Sequence, residues 1–242
     1  MTMNILNIKV NNINTKNALD CCFAALKQRK KIDVFFLNAD CLRISVKDED
    51  YRRILNNVEL VLPDGIGLKI VAKYYGYPNI YNTNGTDFSP VLVEEAAKRG
   101  YKIFLLGAKD GIAQKAAENM CKQVPLLNIV GTHSGYFDDD NKIIEIINAS
   151  GADILFIAMG APLQEKWIAK NRDKLNAGIC LGIGALFDYL SGSILRAPKW
   201  MIALNLEWLW RVFVEPKRMF KRYFIDGIGF MFWLFIFAKR RL

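Results

Sequence analysis

Six short apolar runs, separated by amphipathic stretches, do most to limit what this 242-residue chain can fold into. They are "DVFFLN" (33–38), "VELVL" (58–62), "KIFLLG" (102–107), "LNIVG" (127–131), "DILFIAMG" (153–160) and "GICLGIG" (178–184). Several are apolar throughout, as strands covered on both faces are, rather than alternating. The intervening segments carry helix signals. "GTDFSPVLVEEAAKRG" offers Thr86 or Asp87 as N-cap and Gly100 as terminator, and "AKDGIAQKAAENMCKQ" and "DDDNKIIEIINAS" have helical patterning. Strand–helix alternation at this spacing predicts an α/β fold, a mostly parallel, Rossmann-like sheet flanked by helices.

In such sheets ligands bind beyond the carboxyl ends of the strands. That rule singles out the loops Asn38-Ala39-Asp40, Pro63-Asp64-Gly65-Ile66-Gly67, Gly107-Ala108, Gly160-Ala161-Pro162-Leu163-Gln164 and Gly182-Ile183-Gly184. In "LVLPDGIGL", Asp64 follows an apolar strand directly, where a general base meets a substrate hydroxyl; "PDG" is also a common turn. Gln164 opens a helix after another strand end, to bind a phosphate or sugar oxygen or to cap the helix.

After Gly192 the pattern changes. No strand is predicted, and "LEWLWRVFVEPKRMFKRYF" (206–224) packs six aromatic and five cationic residues into nineteen positions. Ten Lys/Arg and three Asp/Glu between 196 and 242 place about +7 of the chain's net +9 in its last fifth. We therefore divide the chain into a Rossmann-like domain, 1–195, and a basic, aromatic-rich helical appendage, 196–242. Localised charge of this kind calls for an anionic partner. Were 207–224 one helix, Arg211, Arg218 and Arg222 would fall within ~40° of one another. The Glu-Pro step at 216 predicts a break there, with Arg218 and Arg222 one turn apart beyond it. Arginine forks suit diphosphate oxygens better than lysine does. The apolar run "GIGFMFWLFIFA" (227–238) is short of the ~20 residues a spanning helix needs, so it reads as buried or interfacial.

Other chemistries fit poorly. "LGIGALFDYL" gives Gly182 and Gly184, but Phe187 stands where a dinucleotide fingerprint needs its third glycine. Asp138-Asp139-Asp140 reads as a helix start, where acids oppose the dipole. A single histidine, His133, excludes multi-histidine metal sites and most Ser-His-Asp schemes. The five cysteines lack paired metal spacing and read as reduced thiols of a cytosolic protein. The first residues show no secretory signal pattern.

Together, "LPDGIGL", "NGTDF", "GAPLQEKWI", "GIGALFDYLSG", "RAPKW" and "LEWLWRVFVEPKRMFKRY" occur in the order seen in the WecG/TagA/CpsF glycosyltransferases, glycosyltransferase family 26. The chain resembles that family from about 38 to 223. The resemblance implies inverting transfer of an N-acetylmannosamine-type sugar from a UDP-sugar to a polyprenyl-diphosphate-linked acceptor, without a metal or other cofactor. It implies a role in building teichoic acid linkage units, capsule or other cell-surface polysaccharide. The location it implies is cytoplasmic, peripheral on an anionic membrane surface. It implies a Rossmann-like domain whose appendage docks on the membrane and closes the active site.

By position, Asp64 matches the proposed base, Gln164 an active-site glutamine, and Arg211 and Arg218 the arginines that engage diphosphate. Lys221 or Arg222 supplies the third cation. Asn38, Gly85, Thr86, Asp87, Gly107, Gly184 and Asp188 fall in loops that resemble the nucleotide-sugar pocket. Phe36 stands where family sequences carry a threonine, which bears on sugar and acceptor identity. Self-association stays open. A non-catalytic peripheral membrane protein would use the tail without Asp64 or Gln164. A nucleic-acid binder would show steep salt dependence; neither would respond to UDP, and no nucleic-acid partner is expected.

Overall fold

The computed structural model describes residues 1–237. It opens with a hairpin of β1 (Thr2–Ile5) and β2 (Ile8–Asn11), which sequence patterning did not predict. Its turn residues Leu6 and Asn7 both have positive φ, 51° and 61°, without the glycine that signals such a turn. The strands that follow are β3 (Ile32–Leu37), β4 (Leu60–Pro63), β5 (Lys102–Gly107), β6 (Asn128–His133), β7 (Ile154–Ala158) and β8 (Ile179–Gly182). Among the described residues these form one six-stranded sheet, every neighbouring pair parallel, in the order β4-β3-β8-β7-β5-β6. The α/β architecture and all six expected strands are present.

Each central strand divides its side chains between two cores. Phe35 and Leu37 of β3, Phe104 and Leu106 of β5, and Leu155 and Ile157 of β7 face one layer. Val34 and Phe36, Ile103 and Leu105, and Ile154 and Phe156 face the other. Burial on both faces is why these strands read as continuous apolar runs. The first layer includes Met3, Ile5, Ile8 and Val10 of the hairpin and Phe230 and Leu234 near the chain's end. The second includes the helices Thr15–Lys27, Gly85–Lys98 and Ile112–Gln123.

Two helix starts show how local chemistry positions the loops. The N-cap of Gly85–Lys98 is Asn84, not Thr86 or Asp87: Asn84 Oδ1 accepts from Asp87 N at 2.9 Å. Asp87 thereby sits inside the first turn with its carboxylate turned outward. Asp139 caps Asp140–Ser150, accepting from Asn141 and Lys142, and Asp140 accepts from Trp167 Nε1 at 2.8 Å and Lys170 Nζ at 2.7 Å. Asp139 and Asp140 are therefore engaged in holding the fold.

Beyond Gly192 the described residues form helices and turns. The predicted break at Pro216 is observed: Glu207–Val214 ends at Glu215 (φ −129°, ψ 64°), and Pro216 opens Pro216–Phe220. A π-helical segment, Lys221–Gly227, leads into the helix Ile228–Phe237. That last helix is apolar all round yet two-sided in placement. Phe230 (7% exposed) and Leu234 (0%) pack on the core, while Ile228, Phe232 and Ile236 point outward. Residues 238–242, including Lys239, Arg240 and Arg241, lie outside the described residues. No helix among the described residues is long and apolar enough to cross a membrane.

Candidate active site

A cavity of about 720 Å³ opens above the carboxyl ends of β3 and β4, roofed by the C-terminal helices. Asp64 stands on its floor. As N-cap of the helix Gly65–Tyr74 it adopts extended backbone (φ −127°, ψ 119°), yet its side chain makes no capping bond. Its peptide N donates to Leu37 O at 2.9 Å, and Gly65, at φ +82°, turns the chain away beneath it. The carboxylate is thus left to the cavity.

Its environment is set by burial and four neighbours. Asn38 caps the helix Ala39–Lys47 through Oδ1, which accepts from Asp40 N and Cys41 N, each at 3.0 Å. With that oxygen engaged, the amide NH2 is what remains to donate to Asp64. The two helices approach so closely that a Cβ on Gly67 would lie 2.8 Å from Ala39 Cβ. Arg211, from Glu207–Val214, and Arg222, from the π-helical segment, supply positive charge on the opposite wall. Burial pushes the Asp64 carboxyl above the ordinary carboxylate range; Glu207 reinforces this, and Arg211, the Asn38 bond and Arg222 oppose it. A carboxyl raised in this way accepts a proton more readily than a free one.

The arginines are tethered by acids. Arg222 Nε lies 2.9 Å from Asp40 Oδ2, and Arg43 Nη2 lies 2.8 Å from Asp40 Oδ1. Arg211 sits 3.8 Å from Glu207 and over the Tyr189 ring at 5.3 Å. Glu207 is also 3.5 Å from Arg196, whose Nη2 reaches Asp87 Oδ1 at 2.6 Å. A continuous line of charges therefore runs from Asp87 through Arg196 and Glu207 to Arg211. Asp40 lies in a loop that the strand-end rule had singled out, whereas Arg43, Arg196 and Glu207 were given no role from sequence. The one available signal was that Glu207 is among the two acids in an otherwise cationic, aromatic stretch.

The other expected residues divide clearly. Asn38, Thr86 and Asp87 line the cavity with Asp64, Arg211 and Arg222. Lys221 is exposed, whereas its neighbour Arg222 turns inward. The side chain of Arg218 lies outside the described residues. Gly85 is buried because the Phe36 ring occupies the adjoining space, 3.2 Å from where its Cβ would be. Phe36 packs at a tilt against Phe88 (centroids 5.7 Å apart, planes at 58°), so it fills the layer beneath the loop.

Gly107, Gly184, Asp188 and Gln164 sit at other strand ends and do not line this cavity. Gly107 (φ +142°) passes so close to Ala158 that a Cβ would meet its backbone at 2.4 Å. Asp188 lies half-buried in the helix Leu186–Leu190, its carbonyl accepting from Ile194 N at 3.0 Å. Gln164 is buried, its Oε1 accepting from Gly160 N at 3.1 Å and Gly184 N at 3.0 Å, its Nε2 donating to Glu165 Oε1 at 2.8 Å. It clamps the loops after β7 and β8 to each other.

Glu165, 1% exposed, has its carboxyl pushed up by burial to about 7. The folded chain holds this proton to higher pH than the unfolded chain. Stability is therefore greatest below the ordinary glutamate range and falls, by about 3 kcal/mol at most, as pH rises from there through about 7. Glu165→Gln keeps an acceptor for Gln164 and should flatten that slope in urea melts. Identical slopes in variant and parent would reject the assignment. The thiols of Cys22, Cys41 and Cys180 are pushed up to about 12 by burial and are chemically quiet.

A parallel α/β sheet bearing a strand-end acid opposite a pair of arginines brings a proton acceptor and anion-binding groups to one cavity. Comparison with known families makes this specific: residues 3–242 match the glycosyl transferase WecG/TagA/CpsF family, and the chain belongs to it. A relative from Bacillus subtilis (strain 168), an N-acetylglucosaminyldiphosphoundecaprenol N-acetyl-beta-D-mannosaminyltransferase, is 33% identical over 182 residues, 75% of this chain and 71% of that protein. Its namesake in Bacillus spizizenii is 31% identical over 193 residues, 80% and 75% respectively. A solved nicotinate phosphoribosyltransferase from Vibrio cholerae aligns at a TM-score of 0.23 and 13% identity over 79% of this chain and 49% of that one, too little for any inference.

Proposed function

We propose that this glycosyltransferase moves an N-acetylmannosamine-type sugar, with inversion, from a UDP-sugar to a polyprenyl-diphosphate-linked acceptor in cell-surface polysaccharide or teichoic acid synthesis. The observation that carries the reading is Asp64 facing Arg211 and Arg222 across one cavity. The names of the two Bacillus relatives support the sugar and the acceptor class.

In the step envisaged, an acceptor hydroxyl oxygen attacks the anomeric carbon and its proton passes to Asp64. The bond from that carbon to the diphosphate oxygen breaks, and UDP leaves with the electron pair. Asn38 holds the carboxylate in line. Arg211, with Arg218, meets the negative charge gathering on the departing diphosphate, as a metal ion does in other transferases, which leaves Arg222 to the acceptor's own diphosphate. The reaction needs no metal on this reading. Mass spectrometry of the protein with a panel of UDP-sugars and a synthetic N-acetylglucosamine-diphosphate-lipid, with and without EDTA, tests it. One transferred hexosamine at an EDTA-insensitive rate is expected, and no product from any donor would reject the transferase reading.

We also propose peripheral attachment to the inner face of the cell membrane. Phe213, Phe220 and Ile225 are 71%, 54% and 60% exposed on the basic C-terminal segment, the pairing of apolar and cationic groups that suits an anionic interface. Flotation with phosphatidylglycerol vesicles should drop severalfold in the Phe213→Asp, Ile225→Asp double variant. Unchanged flotation would remove the case for these residues.

A further inference from the structure

The cavity has two unlike ends. Asp40, Arg43, Asp64, Arg211 and Arg222 make one end charged. The other end is a trough between two helical faces. Ile66 and Ile70, four residues apart on Gly65–Tyr74, form one wall. Phe224, Ile228, Met231 and Phe232 form the other, spaced as one face of the helical run from Lys221 to Phe237. The trough is not closed by the fold: Ile70, Phe224, Ile228 and Phe232 remain 47%, 38%, 58% and 66% exposed. Apolar side chains of this size, left open on both walls of a groove that begins at two arginines sharing one carboxylate, mark a binding site.

We propose that this trough is the subsite for the first isoprene units of the lipid-linked acceptor. It would lead the prenyl chain from the diphosphate, held at the Arg43–Arg222 end, outward toward the exposed apolar surface of the last helix. The proposal rests on the transferase reading above and names the part of the site that recognises the lipid. The occupant is fixed by the order of the chemistry along the groove. A diphosphate ester of a long isoprenoid alcohol is anionic and then apolar along its length. The groove is cationic at Arg222 and then apolar from Phe224 to Phe232, about 12 Å farther along the helix. A nucleotide-sugar, polar throughout, leaves the Ile66–Ile70 wall unused. A second copy of this chain presenting an apolar helix would have no anion to place beside Arg222. In membrane terms, the prenyl chain would pass from enzyme to bilayer without crossing water, because Phe232 and Ile236 continue the apolar path outward.

The test uses the full chain in detergent-free buffer, with N-acetylglucosamine diphosphate carrying a methyl, geranyl or geranylgeranyl ester below its micelle concentration. Binding is read by calorimetry and transfer by mass spectrometry. The geranylgeranyl ester is expected to bind at least tenfold more tightly than the methyl ester. That ratio should fall below threefold in both Ile70→Gln and Ile228→Gln, with melting temperatures checked to confirm folding. Because the ratio is taken within each variant, it is insensitive to changes at the head group. Equal binding of the methyl and geranylgeranyl esters overturns the subsite while leaving the transferase reading standing, provided both esters accept sugar. A preference for the longer chain that appears only when vesicles are added assigns the apolar residues to bilayer contact, and overturns it too. Failure of every ester both to bind and to accept sugar overturns the transferase reading itself.

Discussion

Asp64→Asn lowers the rate of sugar transfer by roughly 10²–10⁴, the range expected when a positioned base is lost. The substitution is nearly isosteric, and the fold asks little of the carboxylate: it makes no helix-capping bond, and the local backbone is held by Asp64 N to Leu37 O and Gly65 N to Asn82 Oδ1. The variant amide still offers an oxygen to Asn38, so stability should change little and the loss should appear in kcat. The pH dependence distinguishes a base from a binding group. Burial holds the Asp64 carboxyl above the ordinary carboxylate range. In the parent enzyme transfer therefore falls as pH drops through that raised value, where the proton-accepting form disappears. In Asp64→Asn the residual rate should show no such limb. A variant that keeps a near-parental rate, or keeps the limb, removes Asp64 from the role of base.

What the sequence revealed, and what it hid, follows from how locally each feature is encoded. β3, β5 and β7 were legible because both faces of each are buried, leaving apolar runs that no exposed strand would tolerate. The Asp64 loop was legible because strand-end position and the following glycines are local signals. The N-terminal hairpin was not, since its turn uses Leu6 and Asn7 in a conformation that glycine normally announces. Thr86 and Asp87 looked like caps because they stand closest to the helical pattern, but Asn84, just outside it, caps with Oδ1 and frees Asp87 for Arg196. Arg43–Asp40 and Arg211–Glu207 are helical neighbours, but Asp40 with Arg222 and, 109 positions apart, Asp87 with Arg196 join distant parts of the chain, and no spacing rule reaches that far. Asn38 shows the limit most plainly: its type and position were noted, but its division of labour, oxygen to the helix and amide to Asp64, exists only once β3 and β4 lie side by side. Phe36 likewise reads as a missing hydroxyl in sequence and as the ring that crowds Gly85 in three dimensions.

Arg211→Ala should cost roughly 10²–10³ in kcat, the usual price of removing one donor from a site of developing charge. Arg211 carries two burdens at once. It is the largest of the influences that draw the Asp64 carboxyl back down toward its ordinary range, and it is the cation of the roof that Glu207 and Tyr189 hold in position. Its loss therefore has two separable signatures. The maximal rate falls because charge on the leaving diphosphate is unmatched. The acid limb of the pH profile moves to higher pH because Asp64, deprived of its strongest compensating neighbour, holds its proton longer. Arg211→Lys should restore the position of the limb more fully than the rate, since a lysine supplies the charge but not the planar fork that engages two diphosphate oxygens. A purely structural arginine would behave otherwise: the melting temperature would fall, both substitutions would lose rate in proportion to it, and the limb would stay where it was. A limb that moved to lower pH in Arg211→Ala would contradict the electrostatic link between roof and floor, and with it the assignment of this arginine to the leaving group.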